Sequence, residues 1–435
     1  MEHRVTIIGG GLAGCEAAWQ LARRGVPVRL FEMRPARRTE AHETNRLAEL
    51  VCSNSFKSEL VPSAPALLKR ELETLGSLLL RVARETSVPA GSALAVDRAL
   101  FAERATAAIE EEPLIEVLRE EVRVLPPEGS VIIATGPLTS EPLADEIVRV
   151  IGEGRLFFYD AIAPVVSDES IDRSALFAAS RYGKGGEDYL NIPLNDQEYG
   201  TFVGEILAAD LYPLHDFEEN LFFEACLPIE EIARRGRDSV RFGPMKPVGL
   251  LDPRTGKRPF AVLQLRKENR EGTAWNLVGC QTRMRRGEQE RIFRALPGLA
   301  QAEFLRYGSL HRNTYLCAPR VLGEGLALRA DPRVRIAGQI TGVEGYVESI
   351  AMGMVAALET HRAIEGLGPI EWPRESAIGS LLHFLATSDP DCFQPTNIHF
   401  GLFPPLETRV RSKKERHERI FRRGEGAFRS FASVL

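Results

Sequence analysis

Residues 4–34 read RVTIIGGGLAGCEAAWQLARRGVPVRLFEMR, and this stretch decides the fold. Val5 to Ile8 are apolar or β-branched and form a short buried strand. Gly9, Gly11 and Gly14 follow in the spacing G-x-G-x-x-G, with Gly10, Leu12 and Ala13 between them. Ala17, Ala18, Leu21 and Ala22 then recur at helical period, Gly25 closes the helix, and Val26 to Phe31 make a second strand ending at Glu32. This is the βαβ dinucleotide-binding pattern. The first glycine turns the chain, the second admits a pyrophosphate to the backbone, and the third lets helix and strand approach. The helix start offers free N–H groups and the positive end of its dipole to phosphates. Glu32 is placed to accept hydrogen bonds from a ribose.

Working outward, 435 residues exceed one ordinary core, so about two or three domains are expected. Apolar residues make up 44% of the chain and charged residues 26%, the balance of a globular protein. No apolar run reaches the roughly eighteen residues of a membrane span. The chain runs straight into a strand without the apolar segment of a signal peptide, so a cytoplasmic location is expected. Six scattered cysteines, none in a C-x-x-C pair, argue against a disulfide framework and against a metal site. A net charge of −5 leaves only local basic surfaces for nucleic acid.

Residues 62–85 carry a helical apolar period. Asp97 reads as the N-cap of a helix running to Ile109. Val117, Val122 and Val124 suggest short strands. VIIATG (131–136) is a buried strand running into a glycine turn, and a similar stretch accompanies the first βαβ unit of glutathione-reductase-type flavoproteins. From about 150 to 315, period-two alternation (YLNIPL, FAVLQL) predicts an antiparallel sheet, with helical pieces near 215–235 and 287–296. Gly183, Gly185 and Gly186 read as a loop. VRIAGQITGVEGYVESIAMGMVAALETH (334–361) returns to strand, glycine turn and helix. Its loop residues Gly338, Gln339, Gly345 and Tyr346 resemble the late segment that approaches the flavin in such enzymes, with Gln339 where an aspartate is usual. No second G-x-G-x-x-G supplies a separate NADPH domain. The expected architecture is α/β. A Rossmann-like domain (1–150 and 316–370) carries an inserted α+β substrate domain with antiparallel sheet (151–315), and a helical, basic region follows (371–435). In RVRSKKERHERIFRRGEGAFR (409–429) nine basic residues face three acids. That is either a solvated helix with pairs such as Glu415–Arg419 or a polyanion surface.

Two cysteines sit in chemistry-bearing settings. Cys52, in LVCSNSFKS, is flanked by hydroxyls, an amide and Lys57, which favour a thiolate. Cys226, in ACLPIEE, lies at the end of an apolar stretch before Pro228. Read alone, each is as well explained as a small buried hydrophobe. Arg283, Arg285, Arg286 and Arg291 form either a basic patch for RNA or an ordinary solvated face. His311, Arg312 and Asn313 line a pocket or serve the fold. Tyr346 stacks on a ring or packs in the core.

The strings GGGLAGCEAA, LVCSNSFKS, ACLPIEE, FGPMKPVGL, NLVGCQTRMRRGEQERIF, HRNTYLCAPRVL, GQITGVEGYVES and NIHFGLFPPL, in this order, resemble the folate- and FAD-dependent tRNA (uracil-5-)-methyltransferases, the TrmFO family. Several are shared in form with the related GidA-type flavoproteins. Cys280 and the 283–286 stretch depart from the family pattern, where an aromatic, a histidine and a lysine are expected, so Cys280 reads as structural. The resemblance implies a glutathione-reductase-type FAD-binding domain. It also implies C5-methylation of the T-loop uridine of tRNA (position 54), with carbon from 5,10-methylenetetrahydrofolate and reducing equivalents from NAD(P)H through FAD. A thiolate adding to C6 of uracil makes C5 nucleophilic toward a methylene electrophile, a base removes the C5 proton, and a hydride completes the methyl group. By the family pattern Cys226 is the nucleophile and Cys52 the proton acceptor, with the exchanged assignment open. The alternatives are a GidA-like enzyme acting on the anticodon wobble uridine, a small-molecule flavin oxidoreductase, and a flavin-bound tRNA-binding protein without turnover.

Overall fold

Five parallel strands form the central sheet in the order Val334–Ile336, Val131–Ile133, Val5–Ile8, Val28–Phe31, Ile115–Leu118. The computed structural model describes residues 4–39, 41–152, 156–212 and 227–435. Val5, Ile7, Ile132, Ile133 and Ile336 are wholly buried, as expected of strands covered on both faces. The second strand begins at Val28, two residues later than the apolar run suggests, because Pro27 has no N–H for a ladder. Val117 is in a strand, but Val122 and Val124 lie in irregular chain. Val124 is exposed with no partner strand, and Pro126 and Pro127 follow at once.

Two helices cross over one face of this sheet, Leu12–Ala22 from the fingerprint and Tyr346–Ile364 from the late segment. Every residue from Val347 to Thr360 is buried; most are apolar or small, and the two acids in the run, Glu348 and Glu359, accept from Lys57 and from the Trp372 indole N–H. Contact is close because Gly353 has no side chain; a Cβ there would lie 2.8 Å from the Cα of Ala13.

The inserted segment builds a six-stranded antiparallel sheet: Phe177–Ala178, Tyr189–Leu194, Ala261–Lys267, Ala274–Leu277, Val165–Ser167, Phe304–Arg306. Its core (Val166, Ile192, Leu263, Trp275, Phe293 and neighbours) is separate from the core under the parallel sheet. The chain enters along Leu156–Ile162 and leaves along Ser309–Tyr315, and these two strands pair antiparallel, Ile162 opposite Ser309 and Leu156 opposite Tyr315. A small sheet, Ser55–Ser58, Ala93–Val96 and Ser87–Val88, stands between the two domains. Asp97 caps the helix Arg98–Glu110, accepting from Leu100 N at 3.0 Å.

The C-terminal helices join the first core. Lys413–Ala432 buries Ile420, Phe421, Gly424 and Phe428, and its Glu415–Arg419 pair closes at 2.6 Å. The helix Ala377–Thr387 is capped from another element: the wholly buried Glu71 carboxylate accepts from Ala377 N at 2.6 Å and Ile378 N at 2.9 Å. Burial pushes this carboxyl up to about 8 against the pull of those amides. A carboxyl raised in the folded state stabilises fully below its unfolded value near 4.5, and that contribution is lost as pH rises through about 8. The melting temperature is therefore expected to fall more steeply between pH 5 and about 8 in the wild type than in Glu71→Gln. Parallel slopes in thermal scans would contradict this. Among the described residues no helix is long and apolar enough to cross a membrane.

Candidate active site

The fingerprint turn shapes one side of a cleft. Gly9 has φ +109°, and a Cβ on it would lie 2.6 Å from the Ala134 carbonyl oxygen. A Cβ on Gly14 would collide with the Gly9 carbonyl oxygen, whereas around Gly11 there is open space. No side chain caps the helix that starts at Leu12, so the first-turn amides of Leu12, Ala13 and Gly14 face the cleft uncapped. The cleft is lined by Gly9, Gly10, Gly11, Glu32, Thr135 and Ser140 among others. Glu32 accepts from Gly10 N at 3.2 Å and grips Arg34 through Nε (2.9 Å) and Nη2 (3.1 Å). Burial pushes the Glu32 carboxyl up, but its bonds to Arg34 outweigh this and hold it low, hence ionised at the rim. Uncapped amides, room beside Gly11 and an ionised acid at the strand end fit a dinucleotide.

The late loop closes on the same turn. Gly338, at φ +81°, comes so near the first helix that a Cβ would stand 2.8 Å from Ala13 Cβ. Gln339 spends its amide on Glu344, Nε2 to Oε2 at 2.5 Å. Gly345, at φ +118°, leaves room only for the Lys57 ammonium and the Glu348 carboxylate.

The segment carrying Cys52 is tied down from several directions. The Tyr346 hydroxyl accepts from Cys52 N and Ser53 N, each at 3.0 Å, and donates to Ser53 O at 2.9 Å. Its ring packs on Phe56 at 5.7 Å. Asn54 Nδ2 donates to Val96 O and to Lys267 O of the inserted domain, both at 2.9 Å. Lys69 Nζ holds Phe56 O at 2.7 Å and Ser58 O at 2.9 Å. Cys52 itself is half-buried.

Lys57, the cation that sequence proximity favours for Cys52, faces elsewhere. Its backbone is left-handed (φ +63°), and its ammonium goes to Glu348 at 2.8 Å, Glu344 O at 3.2 Å and Asn397. The cations acting on Cys52 are Arg98 and Arg306. Arg98 donates to Leu50 O and to Glu268, each at 2.9 Å. Arg306 comes from the edge strand of the inserted sheet. Neither carries a signal in its own stretch of sequence. Tyr346→Phe removes the acceptor from two amides beside Cys52 and is expected to lower turnover roughly 10- to 100-fold with KM little changed, read by steady-state kinetics.

This arrangement occurs in a chain 55% identical, across all of both proteins, to the methylenetetrahydrofolate–tRNA-(uracil-5-)-methyltransferase TrmFO of Solibacter usitatus. The chain belongs to the TrmFO family. The TrmFO of Geobacter sulfurreducens is 54% identical over 97% of each chain. The family model described as glucose inhibited division protein A matches residues 4–368, so the TrmFO chain falls within that broader group. The solved structure of Aquifex aeolicus GidA in its form II crystal superposes with a TM-score of 0.70 at 18% identity, covering 99% of this chain and 74% of that one, and so shares its fold.

Among the other expected site residues of this TrmFO chain, Cys226 lies outside the described residues, as do the side chains of His311, Arg312 and Asn313. Cys280 is wholly buried, and burial pushes its thiol up, which suits a structural role. The four arginines separate. Arg283 is 11% exposed and ties Glu231 at 2.9 Å and Tyr212 O at 3.0 Å, while its N–H donates to Glu230. Arg285 pairs with Asp210 at 2.9 Å and lies over the Tyr212 ring. Arg291 pairs with Glu205, and with Glu288 at 2.7 Å. Arg286 is exposed over the Tyr307 ring at 5.3 Å, and no carboxylate among the described residues pairs with it. The patch is therefore largely neutralised by acids from other elements, and Arg286 is its most available cation. No cluster of metal ligands occurs among the described residues.

Proposed function

We propose that this chain is a methylenetetrahydrofolate- and FAD-dependent tRNA (uracil-5-)-methyltransferase, acting on the T-loop uridine 54 with NAD(P)H as reductant. The observation that carries the reading is the 55% identity along the whole of both chains to a protein of that name. The GidA-like alternative rests on the broader family model and on a fold shared at 18% identity.

The dinucleotide cleft suits FAD, with Gly9, Gly10, Gly11, Leu12, Ala13 and Gly14 toward the pyrophosphate and Glu32 toward the ribose. On this reading Gly338, Gln339, Gly345 and Tyr346 would stand toward the flavin ring, which is supported by the close approach of Gly338 to Ala13. Bound and reduced, FAD supplies the hydride that turns the transferred carbon into a methyl group. The chain's own residues do the rest. The Cys226 thiolate adds to C6 of the uracil, the electron pair displaced from the C5–C6 double bond makes C5 the nucleophile, and the thiolate leaves C6 again as the methyl group is completed, restoring that double bond. Cys52 takes the C5 proton as general base, and the Tyr346 hydroxyl fixes its backbone. Leaving the T-loop stack costs the uridine a few kcal/mol, offset by phosphate contacts led by Arg286; Arg283, Arg285 and Arg291 would first have to give up their carboxylate partners.

The test mixes purified protein with a T-loop-containing tRNA transcript, labelled methylenetetrahydrofolate and NADPH, and digests the RNA to nucleosides. Label is expected in ribothymidine and lost when uridine 54 is replaced by cytidine. Unlabelled RNA from FAD-loaded protein that consumes NADPH would overturn the reading.

A further inference from the structure

The strand Ala261–Lys267 has two faces. Leu263 and Leu265 belong to the core of the inserted domain, and Gln264 and Arg266 alternate with them on the other face. One end of this strand meets the catalytic loop: Lys267 O accepts from Asn54 Nδ2 at 2.9 Å. Further back, Gln264 Oε1 accepts from Arg181 Nε at 2.8 Å. Gln264 and Lys267 are three residues apart, roughly 10 Å along a strand. Arg181 thus anchors a loop a short way along the inserted domain from the Cys52 segment.

The next residue, Tyr182, is left-handed (φ +59°). Aromatic residues rarely adopt that conformation, and the surroundings must hold it. Tyr182 N donates to Gly249 O at 2.8 Å, and Gly183 N to Ser180 O and Lys184 N to Arg181 O, each at 3.2 Å. The ring leans so closely on Gly249 that a Cβ there would stand 3.0 Å from three ring atoms. The loop also rests on the turn at the end of the small sheet, where Asp188 accepts from Gly91 N at 2.7 Å and the Tyr189 hydroxyl donates to Ala90 O at 3.0 Å. All this support holds a ring in solvent, because Tyr182 is 61% exposed. The cations beside it lack carboxylate partners. Arg181 is spent on the neutral acceptors Gln264 Oε1, Lys246 O and Val248 O. Lys184 and Lys246 are exposed, and no carboxylate among the described residues pairs with them. The loop's own acids are Glu187 and Asp188, and the second is taken by Gly91.

An exposed aromatic ring on a fixed backbone, flanked by unpaired cations, matches the way single-stranded RNA is held: a base stacks on the ring and the cations meet the phosphates. We propose that Tyr182 is a stacking platform for an unpaired nucleobase of the RNA substrate, with Lys184 and Lys246 toward the adjoining phosphates. The inference rests on the RNA-modifying reading above. The base on the platform is a neighbour of the target, because the target must reach the Cys52 loop, a strand's length away.

The experiment measures equilibrium binding of tRNA to the FAD-loaded full-length protein and to its Tyr182→Gly and Tyr182→Phe variants. The tRNA is ligated from two pieces, the synthetic 3′ piece carrying a single abasic site at each unpaired T-loop position in turn. Glycine removes the ring and suits a left-handed backbone, so flavin content and melting temperature are expected to hold. Tyr182→Gly is expected to bind intact tRNA roughly 10- to 100-fold more weakly and Tyr182→Phe as wild type. One abasic position is expected to weaken the wild type by the same factor and to cost Tyr182→Gly nothing more. Wild-type affinity in Tyr182→Gly, equal losses in both variants, or no abasic position coupled to the ring would overturn the platform. A wild-type dimer that Tyr182→Gly dissolves, with tRNA affinity unchanged, would replace it with a contact between copies. A wild type that binds no tRNA sinks the RNA reading itself.

Discussion

Cys52→Ala is expected to reduce ribothymidine formation roughly 10²- to 10⁴-fold while the protein remains yellow and binds tRNA with unchanged affinity. The scale is that of a positioned proton acceptor. The rest follows from how the loop is held. Its bonds to Tyr346, Asn54 and Lys69 run through backbone or through other side chains, so removing the thiol leaves them in place. Under the proposed roles, Cys226 can still add to C6 in this variant, and the tRNA adduct is expected to accumulate as a band that survives denaturation and disappears in Cys52→Ala/Cys226→Ala. An active Cys52→Ala enzyme, or an adduct that needs Cys52 rather than Cys226, would reverse or remove the assignment.

The second large effect is structural. Gly353→Val is expected to give protein without bound flavin, destabilised by about 3 kcal/mol or more. The new side chain would press on the backbone of Ala13, which cannot turn aside as a flexible side chain can. Relief requires the first helix to move, and Ala13 lies in the turn of that helix that faces the cleft. Gly353→Ala already places a Cβ against Ala13 and should show the same effect in weaker form. The ratio of flavin to protein absorbance and the melting temperature read both variants. Full flavin content with an unchanged melting temperature would contradict the helix contact.

The dinucleotide domain was legible because its determinants are local. Three glycines at fixed spacing dictate which backbones approach, and Asp97 advertises a helix start three residues ahead of the amide it caps. The inserted sheet was legible from alternation. The charge environment was not. Lys57 neighbours Cys52 in sequence, but a left-handed residue turns it toward Glu348, while Arg98 and Arg306 arrive from a helix start and a distant edge strand. The arginines at 283–291 look like a basic face until Glu205, Asp210 and Glu231 arrive from other elements to neutralise them. Composition within a window cannot register partners that only the fold supplies.

The pairing of Leu156–Ile162 with Ser309–Tyr315 also bears on the order of assembly. The parallel sheet takes its edge strand, Val334–Ile336, from beyond the whole insert, a long closure for an unstructured chain. Once the ribbon zips, the inserted domain becomes a side branch, and the two halves of the sheet are joined by a short tether. Closure of the sheet is then expected to wait for the insert, and the nucleotide cleft to be completed last. Truncation within 165–306 should therefore cost flavin binding even though no described residue of that span lines the cleft at the fingerprint turn, and bound flavin should report that the whole chain has folded.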